Sequence, residues 1–309
     1  MARRVGARDG VARLTTLLGT RCLVLGGGGF LGTNLCRGLV AAGADVAGFG
    51  RRRIDPAALG GVAWHDGIWP GALPLDGVKI VFDLIGAGLP ASADVAASLT
   101  ATEALISSCR AACVERIVFA SSGGAVYGVT DKHPIRETVA AEPIGTYGLA
   151  KLITERLLTI ADRHDGPRSA ILRIANPYGP FQDGARGQGI VAATILALRQ
   201  DRTLTVWGDG LAVRDYIHID DVVAALLLAA IDTGPDRIFN VGSGVGRTVL
   251  DVIADISAIA GVTPRIVHRP ARPADVAVNV LDTTRLREKL GWTARVPWTD
   301  GLGRLWVAE

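Results

Sequence analysis

Tyr147 and Lys151 stand four residues apart in the run Thr146-Tyr147-Gly148-Leu149-Ala150-Lys151, a spacing that sets two side chains one above the other on a helix face. A phenol with a pKa of about 10 is a poor base at neutral pH, but an adjacent positive charge favours the phenolate. Such a tyrosine can take a proton from a hydroxyl as hydride leaves the same carbon. A bare Y-x-x-x-K pair is usually a surface helix pair. Here it follows an apolar strand ending in Ser121 and Ser122 and, further upstream, a glycine-rich turn, and that context makes it a candidate for chemistry.

The turn is the element that must position a cofactor for that chemistry. Cys22 to Leu25 is a short apolar strand, four glycines follow, Phe30, Leu31, Leu35 and Leu39 then recur at helical spacing, and Thr33 to Ala42 reads as the helix. Glycines 27, 29 and 32 satisfy G-x-G-x-x-G, and glycines 26, 29 and 32 satisfy the G-x-x-G-x-x-G variant. Either register supplies a sharp turn, close approach of backbone amides to a pyrophosphate and close packing of helix on strand. A dinucleotide is the expected ligand, with Gly26, Gly29, Phe30, Leu31 and Gly32 as its contacts. At the end of the second strand, where a carboxylate binds the ribose of NAD, the chain has Gly50, Arg51, Arg52 and Arg53. Guanidinium groups match phosphate geometry, so Arg51 and Arg52 favour NADP, although the same residues can be a solvated turn. Asp66, just past the third strand, is placed to accept from the adenine amino group.

Length and composition narrow the classes. A chain of 309 residues suits one large α/β unit or two domains sharing a cleft. Its 33 basic and 30 acidic residues leave a small positive excess with no long Lys/Arg run after the N-terminus, so nucleic acid is not an expected partner. The longest wholly apolar run, Val222 to Ile231, is far short of the ~20 residues of a membrane span and reads as a buried helix. Cys22, Cys36, Cys109 and Cys113 contain no C-x-x-C pair and suit a reducing cytoplasm. Cys109 and Cys113 would share a helix face, where core packing is a better explanation than a metal.

Met1 to Thr20 reads as a basic tail rather than a signal peptide. From residue 21 to 175, strands and helices alternate as in a doubly wound parallel sheet. Strands are expected at Asp45 to Phe49, Val62 to His65, Lys79 to Leu84, Arg116 to Ser121 and Ser169 to Ile174. The clearest helices are Ala93 to Ala112, Thr146 to Arg163, Val191 to Gln200 and Asp220 to Ile231. Residues 176–309 are turn-rich and read mainly as a smaller substrate lobe, with segments near 213–242 returning to the first domain.

The motifs GGxGFLG at 26–32, SSGGAVYG at 121–128, YGLAK at 147–151, RIANPYGP at 173–180, WGDGLAVRDYIHIDDV at 207–222 and RPAD at 272–275 resemble those of the extended short-chain dehydrogenase/reductase superfamily. Within it the chain is similar to the nucleotide-sugar epimerases and dehydratases. The resemblance implies a Rossmann-type doubly wound sheet with a smaller C-terminal α/β lobe, Tyr147 as acid/base, and Lys151 holding the nicotinamide ribose while lowering the tyrosine pKa. Alignment on ValTyrGly puts the customary Ser or Thr at Gly123, a departure for which Ser122 is the candidate substitute. The Asp-Glu pair of the 4,6-dehydratases is replaced by Gly124 and Ala125, which leaves water elimination without its acid and base.

By the same resemblance Asn176 and the turn around Tyr178 approach the diphosphate and sugar, Trp207 packs on the nucleobase, and Arg214 and Arg272 bind the pyrophosphate. Trp207 could equally be core packing. Asp220 or Asp221 reads as a helix cap and His218 as structural. The expected activity is a nucleotide-sugar 4-epimerase using NAD or NADP, acting on a UDP-hexose and pairing as a homodimer through helices 93–112 and 146–163. A 4-ketoreductase of a nucleotide-linked deoxysugar is the alternative, and a non-catalytic dinucleotide-binding protein is a second.

Overall fold

Strands that are apolar on both faces must be covered on both faces, and the sequence supplies helices enough to do so. The computed structural model describes residues 15–51, 59–85, 94–186, 189–271 and 275–307. The first half runs β1 (Arg21–Leu25), α1 (Phe30–Ala41), β2 (Asp45–Gly50), β3 (Val62–Asp66), β4 (Ile80–Asp83), α2 (Val95–Ala111), β5 (Arg116–Ser122), the single turn α3 (Gly123–Val126), α4 (Thr146–Arg163) and β6 (Arg168–Ile174). The second half is β7 (Asn176–Tyr178), α5 (Ile190–Arg199), β8 (Leu204–Trp207), β9 (Val213–His218), α6 (Ile219–Ile231), β10 (Ile238–Val241), β11 (Gly246–Thr248), α7 (Val249–Ala260), β12 (Ile266–Arg269), β13 (Val278–Asn279), α8 (Thr284–Leu290) and α9 (Trp298–Val307).

Seven parallel strands form the main sheet in the order β10-β6-β5-β4-β1-β2-β3. This is the Rossmann-type sheet that the alternation implied. Successive residues of each strand serve opposite layers. Cys22, Val24, Val118 and Ala120 pack with Leu35 and Leu39 of α1 and Val222 and Leu226 of α6, whereas Leu23, Leu25, Ile117 and Phe119 pack with Leu105 of α2 and Leu158 of α4. The apolar run 222–231 lies within α6 and is mostly buried. Although α6 and β10 come late in the chain, α6 packs on α1 and β10 pairs with β6, while β9 belongs to a different sheet. That second sheet gathers β7, β11 and β13 on β9, and β8 pairs with β12 in a third.

Two expectations differ in detail. The cap of α6 is His218, whose ring accepts the Asp220 amide, while Asp220 and Asp221 lie in the first turn, where their charge suits the helix dipole. The Asp221 carboxylate is also committed to the amides of Arg295 and Val296. Cys113 lies beyond the end of α2 with a positive φ, so it does not share the helix face of Cys109.

Candidate active site

The strand order places the site. The chain runs outward from β1 to β3 and then crosses back to lay β4 on the other side of β1, so a crevice opens at the carboxyl ends of β1 and β4, where doubly wound sheets bind ligands. At the end of β1, Gly26 has a φ of +79°, a conformation that a side chain would strain. Its amide and that of Gly27 both donate to the Phe49 carbonyl, at 2.9 and 3.3 Å, which pins the turn to β2. A Cβ on Gly32 would stand 2.2 Å from the Gly26 carbonyl oxygen, so the first turn of α1 packs on the loop only because no side chain is there. Gly29 caps α1 with extended backbone and no side-chain acceptor. The amides of Phe30, Leu31 and Gly32 therefore lack intrahelical acceptors and remain available to an anion. A cradle that a Cβ would fill, ending in unpaired helix amides, fits a dinucleotide pyrophosphate.

At the adenosine end, the Trp64 ring lies over Gly48, where a Cβ would come within 2.8 Å of it, and its indole N–H donates to Asp66 Oδ1 at 3.0 Å. Asp66 and Arg51 are both exposed at the ends of neighbouring strands. Arg52 and Arg53 lie outside the described residues, as does Arg272.

Tyr147 and Lys151 stand at the start of α4, as the spacing requires, with the Ser122 side chain as the polar neighbour that acts on the Tyr147 phenol. Burial pushes the Tyr147 phenol up, and Ser122 offsets this in part. Lys151 is 5% exposed. Its ammonium donates to the carbonyls of Ala120 at 2.8 Å and Ile85 at 3.2 Å and lies 4.5 Å from the centre of the Phe119 ring. Burial lowers Lys151 to about 8, against the charges of Asp83 and Glu155, which raise it. The spacing suggested an ammonium directly beside the phenol. In the fold that ammonium is directed to two backbone carbonyls, and the Ser122 hydroxyl is the side chain that tempers Tyr147.

The reason for Gly123 is steric. A Cβ there would come within 2.5 Å of the Leu281 side chain and 3.2 Å of the Arg173 carbonyl oxygen, and Leu281 is fully buried. Packing from the C-terminal part of the chain thus fills the space a serine or threonine would need. Gly148 admits a similarly close approach, since its Cβ would stand 2.4 Å from the Ala125 carbonyl oxygen. That contact sets α4 tightly against α3.

A buried polar cluster supports the catalytic helix. Glu155, one turn beyond Lys151, accepts from Ser121 Oγ at 2.5 Å and from Arg173 in a fork, Nη2 at 2.6 Å and Nε at 3.0 Å. Ser121 and Arg173 are partners in register across β5 and β6, so one carboxylate joins α4 to two strands. Arg173 also lies 4.8 Å over the Tyr127 ring, whose hydroxyl donates to Asn240 at 2.7 Å. Glu155 and Arg173 escaped the sequence reading. The i+4 step from Lys151 to Glu155 was a usable signal, but its partner emerges only from strand pairing.

On the substrate side, Trp207 is 45% exposed at the end of β8 and so is not core. In the β8–β12 register it stands opposite Arg269, three residues before Arg272. Arg214 pairs with Asp275 at 3.6 Å, so Trp207 and Arg214 flank the same connection. Asn176 is half-buried and donates to the Asp215 carbonyl at 3.1 Å. The ring of Tyr178 itself is buried, edge-on to His218 and Trp298, in the core of the lobe. Asp215, also missed, is fully buried and accepts the amides of Ser243, Gly244 and Leu281.

Comparison with known proteins agrees with this geometry. Residues 22–242 match the NAD dependent epimerase/dehydratase family. The UDP-glucose 4-epimerase of Azospirillum brasilense is 32% identical, over 94% of this chain and 91% of its own. The structure of UDP-glucose 4-epimerase from Thermotoga maritima with UDP-glucose superposes with a TM-score of 0.79 at 31% identity, covering 92% of this chain and 96% of that one. The enzyme of the same name from Thermus thermophilus, in complex with NAD, superposes at 0.80 with 28% identity, over 92% and 97%. No helix among the described residues is long and apolar enough to cross a membrane.

Proposed function

We propose that this chain, which belongs to the NAD-dependent epimerase/dehydratase family, interconverts UDP-hexoses that differ in configuration at C4. The observation that carries the reading is buried Lys151, one helical turn from Tyr147 and bonded to the carbonyls of Ala120 and of Ile85, the residue that adjoins Gly26 of the glycine cradle. Gly26, Gly29 and Gly32, with the amides of Phe30 and Leu31, hold the pyrophosphate of NAD, and Asp66 takes the adenine. When bound, NAD accepts a hydride from the sugar and returns it. Tyr147 takes the proton of the 4-hydroxyl and later gives it back, and Ser122 holds that hydroxyl in line. The 4-keto sugar turns over between the two halves of the reaction. Lys151 binds the nicotinamide ribose and supplies positive charge that, together with the nicotinamide, offsets the burial that raises the phenol.

Trp207 stacks on the base, Arg214 and Arg272 neutralise the diphosphate, and Asn176 lies beside the sugar. Arg51 stands where a carboxylate would bind the ribose, so NADP is accepted as well as NAD. Exposed Leu99 on α2 and Leu149 and Ile160 on α4 support pairing of two copies through those helices.

The test is product analysis with UDP-galactose and, separately, UDP-glucose, using catalytic amounts of NAD or NADP. One common mixture reached from both sides is expected. No conversion overturns the epimerase reading and directs the next assay to 4-keto sugars with stoichiometric NADPH.

A further inference from the structure

Asp83 has no part in the chemistry just described, yet it is placed to govern it. It ends β4, level with Leu25 of β1 and Phe119 of β5, and is 8% exposed. The Phe119 ring is the one over which the Lys151 ammonium lies. Asp83 and Lys151 also grip the same residue from opposite sides. The carboxylate accepts the Ile85 amide at 3.0 Å, and the ammonium donates to the Ile85 carbonyl at 3.2 Å. The Ile85 dipoles are therefore aligned between a negative and a positive charge.

The other titratable groups around Lys151 leave Asp83 as its main counter-charge. Glu155 on α4 is already engaged by the Arg173 fork from β6 and by Ser121. Tyr147 on α4 is pushed up by burial, and Cys109 of α2, which faces Asp83, is pushed up to about 12 by burial and by the Asp83 charge. Both are neutral at pH 7. Burial raises the Asp83 carboxyl, and the Lys151 charge and the Ile85 amide pull it back down.

We propose that Asp83 is a positioning residue for the reaction: its carboxylate, acting through Ile85, keeps Lys151 charged and held at the crevice. The inference rests on the 4-epimerase reading for what Lys151 does, and its test reads the lysine directly. The chain has only four lysines, Lys79, Lys132, Lys151 and Lys289, so lysine labelled with 13C at Cε gives four signals whose midpoints can be followed by NMR.

In Asp83→Asn the Lys151 midpoint should fall by about one pH unit, with the other three unmoved. The alkaline limb of kcat should move down by the same amount while KM for the nucleotide sugar stays within about twofold. Asp83→Ser serves if the asparagine variant does not fold. An unchanged Lys151 midpoint overturns the inference whatever the activity. A displaced midpoint in a protein that converts no UDP-hexose supports the charge role and sinks the reaction reading alone.

Discussion

The two sides of the crevice are built on opposite plans. On the dinucleotide side, backbone meets backbone. A Cβ at Gly32 has nowhere to go, the Gly26 and Gly27 amides share one carbonyl, and β1, β4 and β5 are almost wholly buried. On the substrate side, side chains stand in solvent. Every residue of β12 is exposed, Trp207 is nearly half so, and Arg214 reaches a partly exposed carboxylate at 3.6 Å. A backbone mould that is already rigid loses little freedom of its own when a dinucleotide binds, so the ordering cost falls mainly on the ligand. A sugar that must turn over during the reaction needs room, so its holders are long side chains able to shift.

The comparison breaks first at the catalytic pair between the two sides. Tyr147→Phe keeps the ring and removes the proton carrier, and kcat should fall about 1000-fold, or ~4 kcal/mol, while dinucleotide binding persists. Activity within tenfold of wild type would move the acid/base role elsewhere. Next in size is Arg173→Leu, which leaves the Glu155 carboxylate buried without its fork and should cost about 3–5 kcal/mol of folding stability in urea denaturation. A loss below about 1 kcal/mol would mean that α4 does not depend on the cluster. On the substrate side, Arg214→Leu removes only a partly exposed pair and should cost less than about 1 kcal/mol.

These unequal costs mirror what could be read beforehand. The helix 146–163 was legible to the residue because its apolar period and its Tyr147–Lys151 face agree, and the β1 turn was legible because glycine spacing is itself a statement about backbone geometry. Helix α1 begins at Phe30, and β4 is shorter than its apolar run implied. Neither shift moves a site residue. The cluster of Ser121, Glu155 and Arg173 was not legible, because Ser121 and Arg173 meet only through strand register and sequence distance says nothing of it. Gly123 was visible as a departure, but its cause, Leu281, lies 158 residues away in sequence and reaches the site from beyond β13. The motif marked the turn around Tyr178, and only the fold shows that the ring itself packs against His218 and Trp298.

The rigidity of the dinucleotide side has its own test in Gly32→Ala. The added methyl would stand 2.2 Å from one backbone atom and 2.7 Å from another, neither of which can rotate away. Such overpacking costs roughly 1–3 kcal/mol and should appear as weaker NAD binding together with a lower melting temperature. An alanine variant that binds NAD normally would show that the turn is looser than its contacts imply.

An effect confined to binding separates the two plans most sharply. Trp207→Ala removes a half-exposed ring that lies outside the core clusters, so the melting temperature should move by only a few degrees. If the ring stacks on the base of the nucleotide sugar, its loss costs binding alone, about 1–3 kcal/mol by the usual worth of a base on an aromatic face, and KM should rise roughly tenfold or more with kcat unchanged. Because the contact lies away from the reacting carbon, it is made equally in ground and transition states, and a fall in kcat would mean that Trp207 orients the sugar as well. An unchanged KM would remove the tryptophan from the site and leave Arg214 and Arg272 to hold the nucleotide by charge, with affinity then falling steeply as salt is raised.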